Sequence, residues 1–361
     1  MAYEKTTWKP KDKITSAALN KIEEALAALD AANIDNAATF ECMTKTINTQ
    51  SSDIGELKTD QDKVNAKIKE MLQTVAKLVE QVEELQWKDA EEIVVDSGNA
   101  TVNKPEANVV ISSTSTIPQN ASVTAKAIQV KDVTVASGRM ALTGTDSVAM
   151  TGVTTSGDLP KATSNAAWSI NTNGEVKINS SNFGQTGYNC IEIGLTATSP
   201  KKVTISDINF TAALTNNAIL IFDTADEAVI NIENCTFTSV SNAIRLSNRS
   251  NVKCTLNITN CHVEKWDTTP AYAGMLIFED YTGTSADQNK TDNRFGPDKI
   301  TVNITNCTHG PEKTKIAIPE DGSLKDICGT GDAATQVIYI YNDKEGSVAY
   351  SEDRYPVINI S

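Results

Sequence analysis

Aromatic residues make up only 5% of this 361-residue chain and histidine occurs only twice. No apolar run approaches the roughly 18 residues needed to cross a bilayer, so membrane insertion is not expected. Neither histidine has an orienting partner at a useful spacing, which leaves little for nucleophilic catalysis. Basic clusters are missing as well: 46 acidic against 32 basic residues give a formal charge of −14, which argues against nucleic acid as a partner. The first residues, MAYEKTTWKPKDKITSAALNKIEEAL, lack the apolar core of a signal peptide, so synthesis in the cytosol is expected. The seven cysteines, an odd number, fit free buried thiols better than a disulfide framework. No cofactor is expected.

What is present falls into three regions. From Phe40, residues step by three and four through Met43, Ile47, Gln50, Ile54, Leu57, Gln61, Val64, Ile68, Met71, Val75, Leu78, Val82 and Leu85. A strict 3.5-residue period held over seven heptads predicts a coiled-coil rod over 40–88, about 70 Å long. Gln50 and Gln61 place amides inside that seam, a device that fixes register and partner number at some cost in stability. The heptads alone leave two and three strands open. Ahead of the rod, Leu19, Ile22, Leu26 and Leu29 form the apolar stripe of a short helix within residues 1–30, capped by Thr15 or Ser16. Asn33, Asp35 and Asn36 are turn formers and predict a hinge over 31–39.

After Trp87 the chain turns to Val, Ile, Thr, Ser, Asn and Gly with apolar and polar residues alternating, so 89–361 reads as β structure. INIENCTFT at Ile230 and LNITNCHVE at Leu256 are near copies, and VTISDINFT at Val203 and VNITNCTHG at Val302 share their template. Weaker copies start at Ile128, Val148 and Val176, which gives spacings of 20, 28, 27, 27, 26 and 46 residues. A second short strand recurs as CIEIG, AILIF, AIRLS and GMLIF, at Cys190, Ala218, Ala243 and Gly274. A period in the mid-twenties with two or three strands predicts a parallel β-solenoid, a β-helix of the pectate-lyase-like kind. Stacking then explains the repeated Asn-Cys pair. Cys235, Cys261 and Cys307, with Ile208 and Val133, form an inward column of small apolar groups. Asp207, Asn234, Asn260 and Asn306 occupy a left-handed turn and bond side chain to side chain between coils. The long gap holds a loop insertion at about 266–300, and the tyrosine-bearing tail is expected to cap the last coil.

Two constellations bear on chemistry. Cys254, Cys261, His262, Cys307 and His309 do not make a metal site, because the alternation of a strand sends Cys261 and His262 to opposite faces. Glu264, Asp267, Glu279 and Asp280 cluster around the insertion, with Asp223 and Asp226 in an adjacent coil. A pair of them at about 5 to 9.5 Å would suit glycoside hydrolysis, whereas the plainer reading is solvated surface. No residue is therefore assigned as catalytic.

The order of a short N-terminal helix, a rod and a β-solenoid resembles the fibres and tailspikes of tailed bacteriophages. WKPKDKITSAALNKIEEAL, from Trp8 to Leu26, is similar to the tryptophan-then-IT…LNKIE opening of many phage head fibres and tail or baseplate appendages. It departs from the usual phrase in having Lys-Pro-Lys-Asp where a Gly-Asp turn is common. The resemblance implies a homotrimer, hence three strands for the heptads. It also implies virion anchoring through Trp8, Ile14, Leu19, Ile22 and Leu26 on a capsid or tail protein, with the distal unit facing host-surface or environmental glycans. The location expected is the virion surface, and the role structural rather than enzymatic. The alternative is a tail fibre or tailspike that depolymerises polysaccharide with carboxylates near the insertion.

Overall fold

The computed structural model describes residues 16–135, 138–158, 166–186, 189–195, 198–265, 274–280, 294–318, 324–329, 337–342 and 346–361. The chain divides into two units, 1–83 and 84–361.

The described residues of the first unit all belong to one α-helix, Ser16–Trp87, of 72 residues. Threonine, a poor helix former, recurs along it, and its hydroxyl bonds back to the carbonyl four residues earlier. Thr39 donates to Asp35, Thr44 to Phe40, Thr59 to Gly55 and Thr74 to Glu70, at 2.8 to 3.0 Å. The hinge expected over 31–39 is not a break, since the helix passes through Asn33, Asp35 and Asn36 without interruption. Turn formers end a helix only when local side-chain bonds outcompete the backbone ladder, and helix on both sides carries this segment through.

The second unit is built on a long, mostly parallel sheet, so the chain is an α + β protein with a solenoid-like architecture. Three strand positions recur in each coil. At the first, all seven predicted starts stand in register: Ile128 on Val148, then Val176, Val203, Ile230, Leu256 and Val302. Val109 precedes them and Ile358 follows, two coils that the template did not detect. At the second position Val135, Thr155, Phe183, Phe210, Phe237, Val263 and His309 form one column. At the third, Trp168, Ile191, Ile219, Ile244, Leu276 and Ile338 form another, and this includes the four recurring short strands.

The columns meet in one buried core, where stacking at about 4.8 Å repeats each contact from coil to coil. Phe183, Phe210 and Phe237 stack with ring centroids 5.5 and 4.9 Å apart. Between the first and second strand positions the chain turns through a left-handed residue at Asp132, Gly152, Ser180, Asp207, Asn234, Asn260 and Asn306, with φ between 48° and 66°. A Cβ on Gly152 would lie 2.2 Å from the Asp132 carboxylate, so that coil uses glycine where the others use Asx or serine.

The end of the chain departs from the pattern. Val357–Ile360 adds one more parallel strand, while Gly346–Val348 and Thr314–Lys315 pair antiparallel with neighbouring strands. Of the insertion, Gly274–Asp280 is a strand of the third position. Residues 266–273 and 281–293 lie outside the described residues.

Candidate functional site

Two features stand out: an exposed apolar stripe on the helix and a set of polar ladders on the solenoid. The stripe consists of the residues expected to form a trimer core. Ile54, Leu57, Val64, Ile68, Met71, Val75, Leu78, Val82 and Leu85 are each 50 to 69% exposed in the single chain, and Gln61 is exposed with its amide donating to Asn65 at 3.1 Å. Leu19, Ile22 and Leu26, expected to anchor the protein, are equally open at 46 to 56%. Trp8 and Ile14 lie outside the described residues. Leu72 and Val79 widen the stripe beside Met71 and Leu78. A contiguous apolar surface of this extent marks a protein interface.

On the solenoid, the turn residues bond as their spacing predicts. Asn234 donates to Asp207 at 3.0 Å, Asn260 to Asn234 at 3.1 Å and Asn306 to Asn260 at 2.8 Å. One residue on, Cys235, Cys261 and Cys307 are buried, and each thiol donates to the carbonyl two residues back at 3.3 to 3.4 Å. Ser181, in the same column, makes the same bond at 2.8 Å, so hydroxyl and thiol serve the same place in the coil. Burial pushes the thiols of Cys254 and Cys328 up to about 12 and that of Cys190 up as well, so these groups stay protonated and unreactive. Cys42 on the helix is the exposed one. A maleimide at neutral pH is therefore expected to modify one thiol per native chain and seven after denaturation, counted by intact mass. Modification of two or more in the native state would contradict the buried column.

Two further ladders escaped the sequence reading. Asn257 donates to Asn231, Asn303 to Asn257 and Asn359 to Asn303, all at 2.8 Å, on the outer face of the first strand position. Their signal was the polar residue after the first apolar one in each template. The second ladder is buried at the third position. There Asn189 donates to Glu192 at 2.7 Å, Asn217 donates to Asn189 at 3.0 Å, and the Tyr339 hydroxyl donates to Asn242 at 2.7 Å. Beside it Arg245 and Glu279 form an ion pair at 2.5 Å with side chains only 9 and 14% exposed.

Glu192 is 3% exposed, and burial raises its carboxyl above the usual range, against the pull of its bond from Asn189 and of Arg245 and Arg139. A carboxyl raised in the folded state adds stability below its unfolded pKa and loses that contribution as pH rises through the folded value. Glu192→Gln keeps an acceptor for Asn189 and carries no charge. The melting temperature of this variant relative to the parent is expected to climb between pH 4.5 and pH 8. A flat difference across that range would contradict the burial cost.

The carboxylates considered for catalysis are mostly committed to structure. Asp223 accepts the Ser250 hydroxyl and the Thr224 and Ser250 N–H groups, and Asp226 accepts the Lys253 N–H at 3.0 Å. Glu279 holds Arg245, and Glu264 is exposed. Asp267 and the side chain of Asp280 lie outside the described residues. His262 bonds Thr308 at 2.9 Å while Cys261 points inward, as the strand alternation requires. Burial and the nearby His262 hold His309 below the usual histidine range. Among the described residues no group of three or more His, Cys, Asp or Glu could hold a metal ion, and no helix is long and apolar enough to cross a membrane. A depression lined by Glu227, Lys253, Thr255, Asp298 and Lys299 holds about 250 Å³ and opens broadly to solvent.

Comparison of the chain with family models, with curated proteins and with solved structures gives no match. The chemistry these surfaces support is association, through apolar area on the helix and polar display on the solenoid.

Proposed function

We propose that this chain is a structural virion appendage, a homotrimeric head fibre of a tailed bacteriophage. Its N-terminal part attaches to the capsid, and its distal unit, a parallel β-helix of the pectate-lyase-like kind, faces outward toward host-surface or environmental glycans. The observation that carries this reading is the exposed apolar stripe of the helix, joined in one chain to a stacked β unit. An isolated helix gains too little from its own backbone to leave such a stripe in water, and two further copies would bury it. Each Leu, Ile or Val buried would contribute about 1.5–3 kcal/mol. Three strands are favoured over two by Leu72 and Val79, which widen the apolar face beyond the narrow seam of a dimer. Asp53 and Lys58 stand five residues apart beside the seam, where neighbours in a parallel, in-register bundle attract. The likeness of residues 8–26 to phage fibre openings supports virion attachment, and net negative charge suits a part displayed in many copies.

The role is non-enzymatic in this reading, because Asp223, Asp226 and Glu279 are occupied in turns and in an ion pair. Capsular polysaccharide incubated with the protein is expected to keep its size; cleavage abolished by Glu279→Gln or Asp280→Asn would replace the proposal with a depolymerase. The principal test is immunogold labelling of a phage lysate with antibody raised against residues 90–361. Gold on capsids is the expected result. Gold at the tail tip would move the appendage to the tail, and unlabelled particles would remove the virion reading altogether.

A further inference from the structure

The helix carries a periodicity that spans the expected anchor, hinge and rod alike. Counting back from Phe40 in steps of four and three gives Asn36, Asn33, Leu29, Leu26, Ile22 and Leu19, so one heptad phase runs unbroken from Leu19 to Leu85. At about 1.5 Å per residue this is one seam of roughly 100 Å. The residues at its two ends are similarly open: Leu26 is 56% exposed and Leu29 59%, against 53% for Val64 and 54% for Val75. Asn33 and Asn36 fall at consecutive core positions, the same kind of place that Gln50 and Gln61 occupy farther along.

Resting on the homotrimer reading above, we propose that Leu19, Ile22, Leu26 and Leu29 pack on their own counterparts in two further copies of this chain. Asn33 and Asn36 are then paired amide layers that set register and partner number. Three amides around an axis donate and accept among themselves. A slip of one heptad would instead place Asn33 against Leu26 and Asn36 against Leu29, stranding every amide without a partner. The flanking positions agree, because Ala25 and Ala32 sit beside the seam and their small side chains let neighbouring helices approach closely. The turn-forming chemistry that predicts a hinge is thus used as a specificity device inside a continuous helix.

A consequence follows for attachment. An amphipathic helix has one apolar stripe, and a stripe buried against copies of itself is closed to a capsid protein. Leu19, Ile22 and Leu26 therefore belong to assembly. Attachment then rests on groups outside that stripe.

The test uses the full chain with Cys42→Ser, into which Leu26→Cys or Val64→Cys is placed singly. Each variant is oxidised, its free thiols are blocked, and it is run on a denaturing gel without reductant. Interchain disulfides at both positions are the expected result. Disulfide at Val64→Cys alone would overturn this inference while leaving the trimeric rod intact, and disulfide at neither would remove the trimeric rod as well. The amide layers are tested separately with Asn33→Ile plus Asn36→Ile. The helical signal should melt several degrees higher while the single mass species by light scattering gives way to a mixture. Unchanged melting with one unchanged species would overturn their role.

Discussion

Ile68→Asp is expected to dissociate the proposed trimer into single chains at micromolar concentration, with most of the helical signal lost and the β signal retained. Ile68 is a core position of the seam and 50% exposed in the isolated helix, so in a trimer three copies meet in one layer. Each substitution removes about 2–3 kcal/mol of burial. Each also asks a carboxylate to leave water, which costs several kcal/mol, and the three charges repel one another. Summed over three chains the loss exceeds roughly 10 kcal/mol, which is comparable to the whole margin of about 5–15 kcal/mol by which folded proteins hold. Lys69→Asp, one residue on and off the seam, serves as the control and should leave the mass unchanged. Sedimentation or light scattering decides the matter, and an Ile68→Asp protein of the parent's mass and melting behaviour would sink the trimeric rod.

Phe210→Ala should produce the largest loss within the solenoid, about 3–5 kcal/mol. Its ring is fully buried between Phe183 at 5.5 Å and Phe237 at 4.9 Å, so truncation opens a cavity in the middle of the stack and strips both neighbours of a contact. Because each coil contacts only its neighbours, the weakened interface divides the stack, and the flanking coils should lose protection first. Phe210→Leu retains much of the volume and should cost less than half as much. Urea unfolding of the three proteins, with amide exchange to locate the loosening, measures both effects. An alanine variant as stable as the parent would mean that the ring column does not hold the coils together.

Much of the second unit was legible because stacking imposes a rule on sequence. A residue above its counterpart must share its size, its polarity and often its backbone sign. Ile230, Leu256 and Val302 therefore repeat, and so do Asn234, Asn260 and Asn306 in the left-handed turn, where the bonds between coils fall as expected. Even the weaker copies at Ile128, Val148 and Val176 are in register, since Gly152 and Ser180 satisfy the same turn by different means. The Asn231 ladder was overlooked because an outward polar residue on a strand ordinarily answers to water, and sequence alone does not reveal that its neighbour above is another asparagine. The third strand position was harder still. Glu192 and Arg245 alternate with the core residues Ile191 and Ile244, so alternation assigns them to solvent, yet both are buried, and Glu279, which pairs with Arg245, is only 14% exposed.

The helix divides in the same way. Its apolar stripe and phase are written in the order of residues, because 3.6 residues per turn turns spacing into a face. Whether Asn33, Asp35 and Asn36 break that helix is a competition between local side-chain bonds and a ladder already formed on either side, and the structure decided it for the ladder. By itself the sequence determined periods: a seam every 3.5 residues, a coil about every 27, and a small or apolar residue beneath each left-handed turn. Only the tertiary structure decided which outward residues meet. Asn217 and Arg245 find their partners, Asn189 and Glu279, one coil away, and the burial that gives those contacts and the Asn189–Glu192 bond their strength exists only once the coils are stacked.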